Sequence, residues 1–169
     1  MKLQAERLYI TQFSLDMAES VQLNSLDADN RRFVPDEVFE TVAIAEKVIA
    51  TLMSYYDVDG RPQVYPIMLN DGRQIGHVQA VPIRKDWEIG YHVGEAFTGQ
   101  GYATEAVRAF LPFILEQWNI CEIVGICHAN NIASRKVMEN CGFELEFEGI
   151  GFYQRKIKKI RRYRYHKRD

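Results

Sequence analysis

The sequence predicts an α+β fold on one mixed sheet, and three observations carry that prediction. Alternating and β-branched runs in the first half are joined by hairpin-type turns, the mark of antiparallel strands. From residue 87 the pattern becomes strand, helix, strand, helix, strand, which adds parallel character to the sheet. The 169 residues, 47% hydrophobic and 26% charged, suffice for a single domain over 1–169 that buries most of its apolar surface without staples.

Taken in order, residues 8–13 alternate as a strand and 14–23 read as a short helix. Pro35-Asp36-Glu37 sets a proline at a helix start with acids in the first turn. Val38, Val42, Ala45, Ile49 and Leu52 then recur at helical spacing, which predicts one amphipathic helix to residue 53. Strands over 63–69 and 74–83 flank Asn70-Asp71-Gly72, a strong hairpin signal. Arg84-Lys85-Asp86 turns the chain into a strand over 87–93. A helix over 103–118 lines up Ala106, Phe110 and Ile114, and 120–129 has the apolar, β-branched character of a central strand. Residues 131–140 form a short helix stopped by Cys141-Gly142. Strands over 144–149 and 157–166 close the chain as a hairpin in which Glu144, Glu146 and Glu148 face basic residues.

Cys121, Cys127 and Cys141 have neither an even count nor metal-ligand spacing. Buried thiols in a reducing compartment are therefore expected, with no disulfide framework and no metal. Residues 1–6 lack the apolar core of a signal peptide, and no apolar run nears membrane-spanning length. The expectation is a cytoplasmic protein without a membrane partner. The net charge of −2 hides an asymmetry: nine of the 21 Lys and Arg lie between Arg155 and Arg168. The rest of the chain is strongly acidic, a bias toward cationic substrates on encounter.

Chemistry concentrates in Glu95-Ala96-Phe97-Thr98-Gly99-Gln100-Gly101-Tyr102-Ala103-Thr104-Glu105-Ala106. Its two glycines allow a tight turn that exposes backbone N–H groups, and a helix start behind them adds unpaired donors. Strand, glycine turn and helix N-terminus together suit a phosphate or pyrophosphate. No Gly-Lys-Ser/Thr follows, so this is not a Walker loop, and Thr104 stands where a dinucleotide fingerprint has its third glycine. Taken alone, the glycine pair is equally a simple turn.

Gly90-Tyr91-His92-Val93 followed by Phe97 to Ala106 resembles the acetyl-coenzyme A loop of the GNAT N-acetyltransferases, above all the branch that acetylates N-termini of ribosomal proteins. Asn131-Ile132-Ala133-Ser134, leading to Cys141-Gly142-Phe143, resembles a second segment of that family. Ala5-Glu6-Arg7-Leu8-Tyr9-Ile10 is similar to the branch's first strand. One departure is Thr98, where the family's loop often begins with Arg or Gln. The resemblance implies a central, mostly antiparallel sheet with one splayed parallel pair (strands 87–93 and 120–129) and helices on both faces. It implies acetyl-coenzyme A as co-substrate, its pyrophosphate on the N–H groups of Gly99, Gln100, Gly101, Tyr102, Ala103 and Thr104. The backbone of Tyr91, His92 and Val93 would meet the pantetheine arm and polarise the thioester carbonyl, and Asn131 would hydrogen-bond the same arm.

Acetyl transfer to an amine needs a proton acceptor, a stabilised oxyanion and a donor for the leaving thiolate. Glu88 is the first candidate base and His92 the second, because period-2 alternation puts both on one face with Gly90. The branch often carries a glutamate where Glu88 stands. The bland alternatives are a solvated strand carboxylate and a packing histidine. Many family members place a tyrosine seven residues after the asparagine; Met138 is there instead. That leaves Ser134, credited in the branch with protonating the thiolate. Its alternative is a hydroxyl bonded to helix backbone, as Asn131's is a plain N-cap.

The expected function is transfer of acetyl from acetyl-coenzyme A to a primary amine by direct attack in a ternary complex. The acceptor is a protein N-terminus, ribosomal or other, or a small amine. Two alternatives stand beside it: a catalytically degenerate coenzyme A-binding member, and an RNA- or ribosome-associated binding protein using the basic tail. The tail mixes basic and aromatic residues, but facing glutamates neutralise it from within, so nucleic acid is not an expected partner. A homodimer is compatible with the resemblance.

Overall fold

Two short strands, β1 (Lys2–Gln4) and β2 (Leu8–Thr11), open the chain in the computed structural model, which describes residues 1–168. Three helices follow: α1 (Ala18–Ser25), α2 (Ala28–Phe33) and α3 (Val42–Met53). Then come β3 (Gln63–Leu69), β4 (Gln74–Ile83) and β5 (Asp86–Val93), the helix α4 (Tyr102–Gln117) and β6 (Glu122–His128). The helix α5 (Ile132–Asn140) and the hairpin β7 (Glu144–Tyr153) and β8 (Lys156–His166) complete it. The eight strands form one sheet in the order β1-β2-β3-β4-β5-β6-β8-β7. Every neighbouring pair is antiparallel except β5 and β6.

Alternation along the strands divides the core between the two faces of this sheet. Tyr65 and Ile67 of β3, Val78 and Ala80 of β4, and Ile89 of β5 pack with Ala106, Val107, Phe110 and Ile114 of α4. The opposite face is smaller: Val64 meets Ala18 of α1 and Ala45 and Ile49 of α3. Cross-strand partners share a face, so the registers Gln79↔Gly90, Val81↔Glu88 and His77↔His92 set those side chains on the α1 and α3 side.

Several elements differ from the sequence reading. The single helix expected over 35–53 is broken: Pro35–Glu37 is one 3-10 turn, and Val38 is extended at φ −96, ψ 122. The helix restarts at Val42 because Thr41 caps it, its side chain accepting from the Ile44 N–H at 3.2 Å. A continuous helix would also lose the bond from the Phe39 N–H to Ser25 Oγ, 2.9 Å long, which ties the break to α1. Helix α2 went unforeseen because Ala28–Phe33 has no apolar period; its start is held by Asp27, which accepts from the Asn30 N–H at 2.6 Å. Strand β7 runs past residue 149 to Tyr153. Its turn uses Gln154 and Arg155, both at positive φ (51 and 60). That two-residue geometry is normally advertised by Asn-Gly or Asp-Gly, and neither is present. Cys121 is exposed, whereas all three thiols were expected to be buried; Cys127 and Cys141 are buried.

The final hairpin makes the expected ion pairs at Glu146 and Glu148, two of the three glutamates in the alternation. Glu146 takes Arg162 at 2.8 Å and Arg164 at 2.9 Å, and Glu148 takes Arg161 at 2.6 Å and Lys159 at 3.3 Å. Among the described residues no helix is long and apolar enough to cross a membrane.

Candidate active site

The parallel pair does not run its full length. Strands β5 and β6 are in register only at Glu88↔Val124, after which they part. Beyond that point Gly90, Tyr91, His92 and Val93 have no β6 partner, so the β5 edge opens into a cleft of about 900 Å³. The mouth of this gap is the glycine turn. Gly99 (φ 74) and Gly101 (φ 82) both take the left-handed conformation that a side chain disfavours. Gly101 is the N-cap of α4 and has no side chain to satisfy the first-turn N–H groups. Those donors are therefore left for a ligand. Thr98 directs its hydroxyl back to the Glu95 carbonyl at 2.9 Å, closing the turn that precedes the glycines.

Across the gap, α5 begins at Asn131, whose Oδ1 accepts from the Ser134 N–H at 3.1 Å. The amide N–H groups of Asn131 remain for another partner. The Tyr91 side chain crosses from β5 and its hydroxyl lies 2.9 Å from both the Ser134 carbonyl and Ser134 Oγ. Burial pushes the Tyr91 phenol well up, so it stays protonated. Burial also lifts the Cys127 thiol to about 11, a neutral group beside the same hydroxyl pair. Met138 is buried on the far side, its sulfur 2.5 Å from the ideal Cβ position of Gly125. A side chain at 125 would displace it.

The other wall carries the acid–base groups. His92 Nε2 lies 3.0 Å from Asp27 Oδ2, and His77 Nε2 lies 3.1 Å from Glu37 Oε2. Gln79 donates to Glu37 Oε1 at 3.0 Å. Burial raises the Glu88 carboxyl to about 7, the charge on Glu37 adds to the rise, and a hydrogen bond with Tyr153 opposes it. Burial would raise Glu37 likewise, but His77, by charge and hydrogen bond, with His92 and Gln79, holds it below the usual range. His92 is lowered, by burial first and then by the charge of His77, against the pull of Asp27. A neutral His92 that donates from Nε2 to Asp27 keeps Nδ1 as its acceptor.

Of the residues singled out in the sequence, Glu88, Tyr91, His92, Val93, Gly99, Gly101, Tyr102, Ala103, Thr104, Asn131 and Ser134 all line this one cleft. Gln100 does not; its side-chain amide turns back to the Ala96 carbonyl at 3.5 Å. Sequence reasoning missed Asp27, Glu37 and Tyr153, which line the cleft from the cap of α2, the 3-10 turn and β7, and His77 of β4, which pairs with Glu37. Asp27 carried a signal, since Asp is a preferred N-cap residue and Asp29 sets an acid just behind it. It also missed the side chain of Tyr91, whose backbone alone had been given a role.

The cleft thus joins a side-chain-free turn with open helix N–H groups, an unpaired strand edge and the Tyr91 and Ser134 hydroxyls, a set of donors that suits a phosphorylated ligand. Comparison with known proteins points the same way. Residues 7–144 match the family model described as an acetyltransferase (GNAT) domain. The chain is 25% identical, over 94% of its length and 89% of the other, to the uncharacterized N-acetyltransferase YnaD of Bacillus subtilis (strain 168). Its fold is similar to that of a GNAT-family acetyltransferase from Bacillus anthracis, with a TM-score of 0.84, 23% identity and 98% of each chain covered. It is similar as well to RimL, a ribosomal L7/L12 alpha-N-protein acetyltransferase in complex with coenzyme A, with a TM-score of 0.82, 19% identity and 98% of each chain covered.

Proposed function

The chain belongs to the GNAT family of acetyltransferases, and from that membership we propose that its cleft passes the acetyl group of acetyl-coenzyme A directly to a primary amine bound alongside. The observation that carries this reading is the single paired register of β5 and β6. Their parting leads from an uncapped helix start to a carboxylate poised near neutral pH.

When bound, acetyl-coenzyme A supplies the acetyl group as a thioester. The N–H groups from Gly99 to Thr104 hold its pyrophosphate, and Tyr91, His92, Val93 and Asn131 hold its pantetheine arm. Glu88 takes the proton from the acceptor ammonium, as a carboxylate raised to about 7 is ionised for part of the population at neutral pH and returns the proton readily. His92 Nδ1 is the second acceptor on the same face. The hydroxyls of Tyr91 and Ser134, 2.9 Å apart, furnish the hydrogen bond to the leaving sulfur. Tyr91 thereby stands in for the tyrosine that Met138 replaces.

The likeness to RimL favours a protein N-terminus as acceptor. The acids on the open wall, Asp27, Asp29, Asp36 and Glu37, favour one that arrives positively charged. Thermal unfolding with and without acetyl-coenzyme A, on wild type and Gly101→Glu, tests the cofactor site. Wild type is expected to gain in midpoint with ligand concentration, and the variant, with a carboxylate among the phosphate donors, is expected not to. Loss of the wild-type shift at saturating ligand removes the support for acetyl transfer. A positive result leads to an amine and peptide panel read by thiol release.

A further inference from the structure

The glycine turn carries no cationic side chain of its own. Between Glu95 and Ala106 the charged residues are Glu95 and Glu105, both acids. Glu105 stands in the first turn of α4. A carboxylate there complements the helix dipole, yet it repels any polyphosphate that binds the same N–H groups. The compensating charge comes from the other end of the chain. The Arg7 backbone N–H donates to Glu105 Oε1 at 2.7 Å, and Arg7 Nε donates to Oε2 at 2.7 Å. Arg7 Nη1 donates to the Gln100 carbonyl at 2.9 Å, inside the glycine turn itself. The guanidinium lies over the Tyr102 ring, 4.6 Å from its centre. Its remaining nitrogen, Nη2, lies 3.4 Å from the ideal Cβ position of Gly101.

We propose that Arg7 is the cation of the coenzyme A phosphate subsite: it neutralises Glu105, pins the turn through Gln100 and presents Nη2 to the phosphates. The proposal rests on the acetyl-coenzyme A reading and answers the departure at Thr98, where the loop has no basic side chain. Placement supports it. The Arg7 side chain is 43% exposed, whereas the Glu105 side chain it covers is 16% exposed, so the cation faces outward and the anion lies beneath. A planar fork is required for this arrangement, since one guanidinium serves a carboxylate, a carbonyl and a ligand at once.

The test is calorimetric titration of coenzyme A into wild type, Arg7→Gln, Arg7→Lys, Glu105→Gln and the double variant Arg7→Gln/Glu105→Gln, each at several salt concentrations. Unfolding midpoints are measured without ligand. Loss of a charge-assisted contact predicts that Arg7→Gln weakens coenzyme A by roughly tenfold or more. Its affinity should also depend less on salt, because one screened charge has gone. Arg7→Lys should keep the salt dependence while losing part of the affinity. Removing Glu105 as well should recover part of the loss in Arg7→Gln, because the uncompensated carboxylate is then absent. A merely structural Arg7 would lower the ligand-free midpoint but leave the salt dependence unchanged, and that result overturns the proposal. So does an Arg7→Gln affinity equal to wild type. Failure of wild type itself to bind coenzyme A overturns the underlying reading, so the two failures are distinguishable.

Discussion

Glu88 illustrates how much a residue's chemistry depends on its neighbours. An exposed strand glutamate is ionised at neutral pH and is a poor base for an ammonium, whereas burial beside Glu37 brings this carboxyl to about 7. The expected rate profile follows: kcat/KM rises with pH through about 7 as Glu88 ionises. Glu88→Gln should remove that limb and lower kcat by about 10²-fold or more, the range of a lost general base. Stability runs in the opposite sense. A carboxyl whose folded pKa is raised from 4.5 to about 7 loses stability as pH climbs across that window. Glu88→Gln should therefore raise the melting temperature above pH 7 and leave it unchanged well below 4.5. For the leaving group, Tyr91→Phe and Ser134→Ala each remove one hydroxyl of the 2.9 Å pair. If both serve one sulfur, the double variant should lose little more kcat than the worse single one, as groups acting as a unit are not additive. Full additivity would separate their roles. Glu88 and His92 were visible as candidates through residue type and strand period, and Ser134 through the family resemblance. Tyr91 was nominated for its backbone only, since the direction of its ring across the gap depends on where α5 sits.

Among the elements, the glycine turn and α4 were legible in advance, and α2 was not. The turn is written in residue type: only glycine takes φ near 80 without cost, and two such positions precede a helix with a long apolar stripe. Gly101→Ala is expected to cost about 1 kcal/mol, the strain of a Cβ in the left-handed region. Because that Cβ would make only an ordinary contact, 3.4 Å from Arg7 Nη2, the variant should still bind coenzyme A. Gly101→Glu should not, and denaturant titration beside ligand titration separates strain from charge. Helix α2 is the contrary case. Six residues, four of them polar, hold helical form because Asp27 caps them and Asn30 Nδ2 donates to the Ser25 carbonyl at 2.8 Å and the Glu37 carbonyl at 3.0 Å. Those partners lie outside the segment, and no local pattern announces them. The break before α3 has the same origin, as Ser25 draws the Phe39 N–H out of any helix.

Across the whole molecule, the sheet divides the work between its faces. Helices α4 and α5 bring the glycine turn, Asn131 and Ser134 to one side of the β5–β6 gap, while α2 and the turn at Pro35–Glu37 bring Asp27 and Glu37 to the other. This division predicts separable phenotypes. Asp27→Ala removes the α2 cap, worth about 1 kcal/mol, and the partner of His92 Nε2. It should raise KM for the amine and lower the His92 pKa further, because Asp27 pulls it upward in wild type. Affinity for coenzyme A should stay at the wild-type value in the same titration; a parallel loss of both would join the two walls into one functional unit. By itself the sequence determined the mixed sheet, the glycine turn, the basic hairpin with its facing acids and the family likeness, because each is written in local period, turn chemistry or ordered motif. Only the tertiary structure decided that the splay of β5 and β6 begins at Glu88, that Arg7 meets Glu105, that Glu37 and Tyr153 flank Glu88, and that Asp27 pairs with His92. Those contacts join residues that lie far apart along the chain, and their positions follow from packing both helical layers on one twisted sheet.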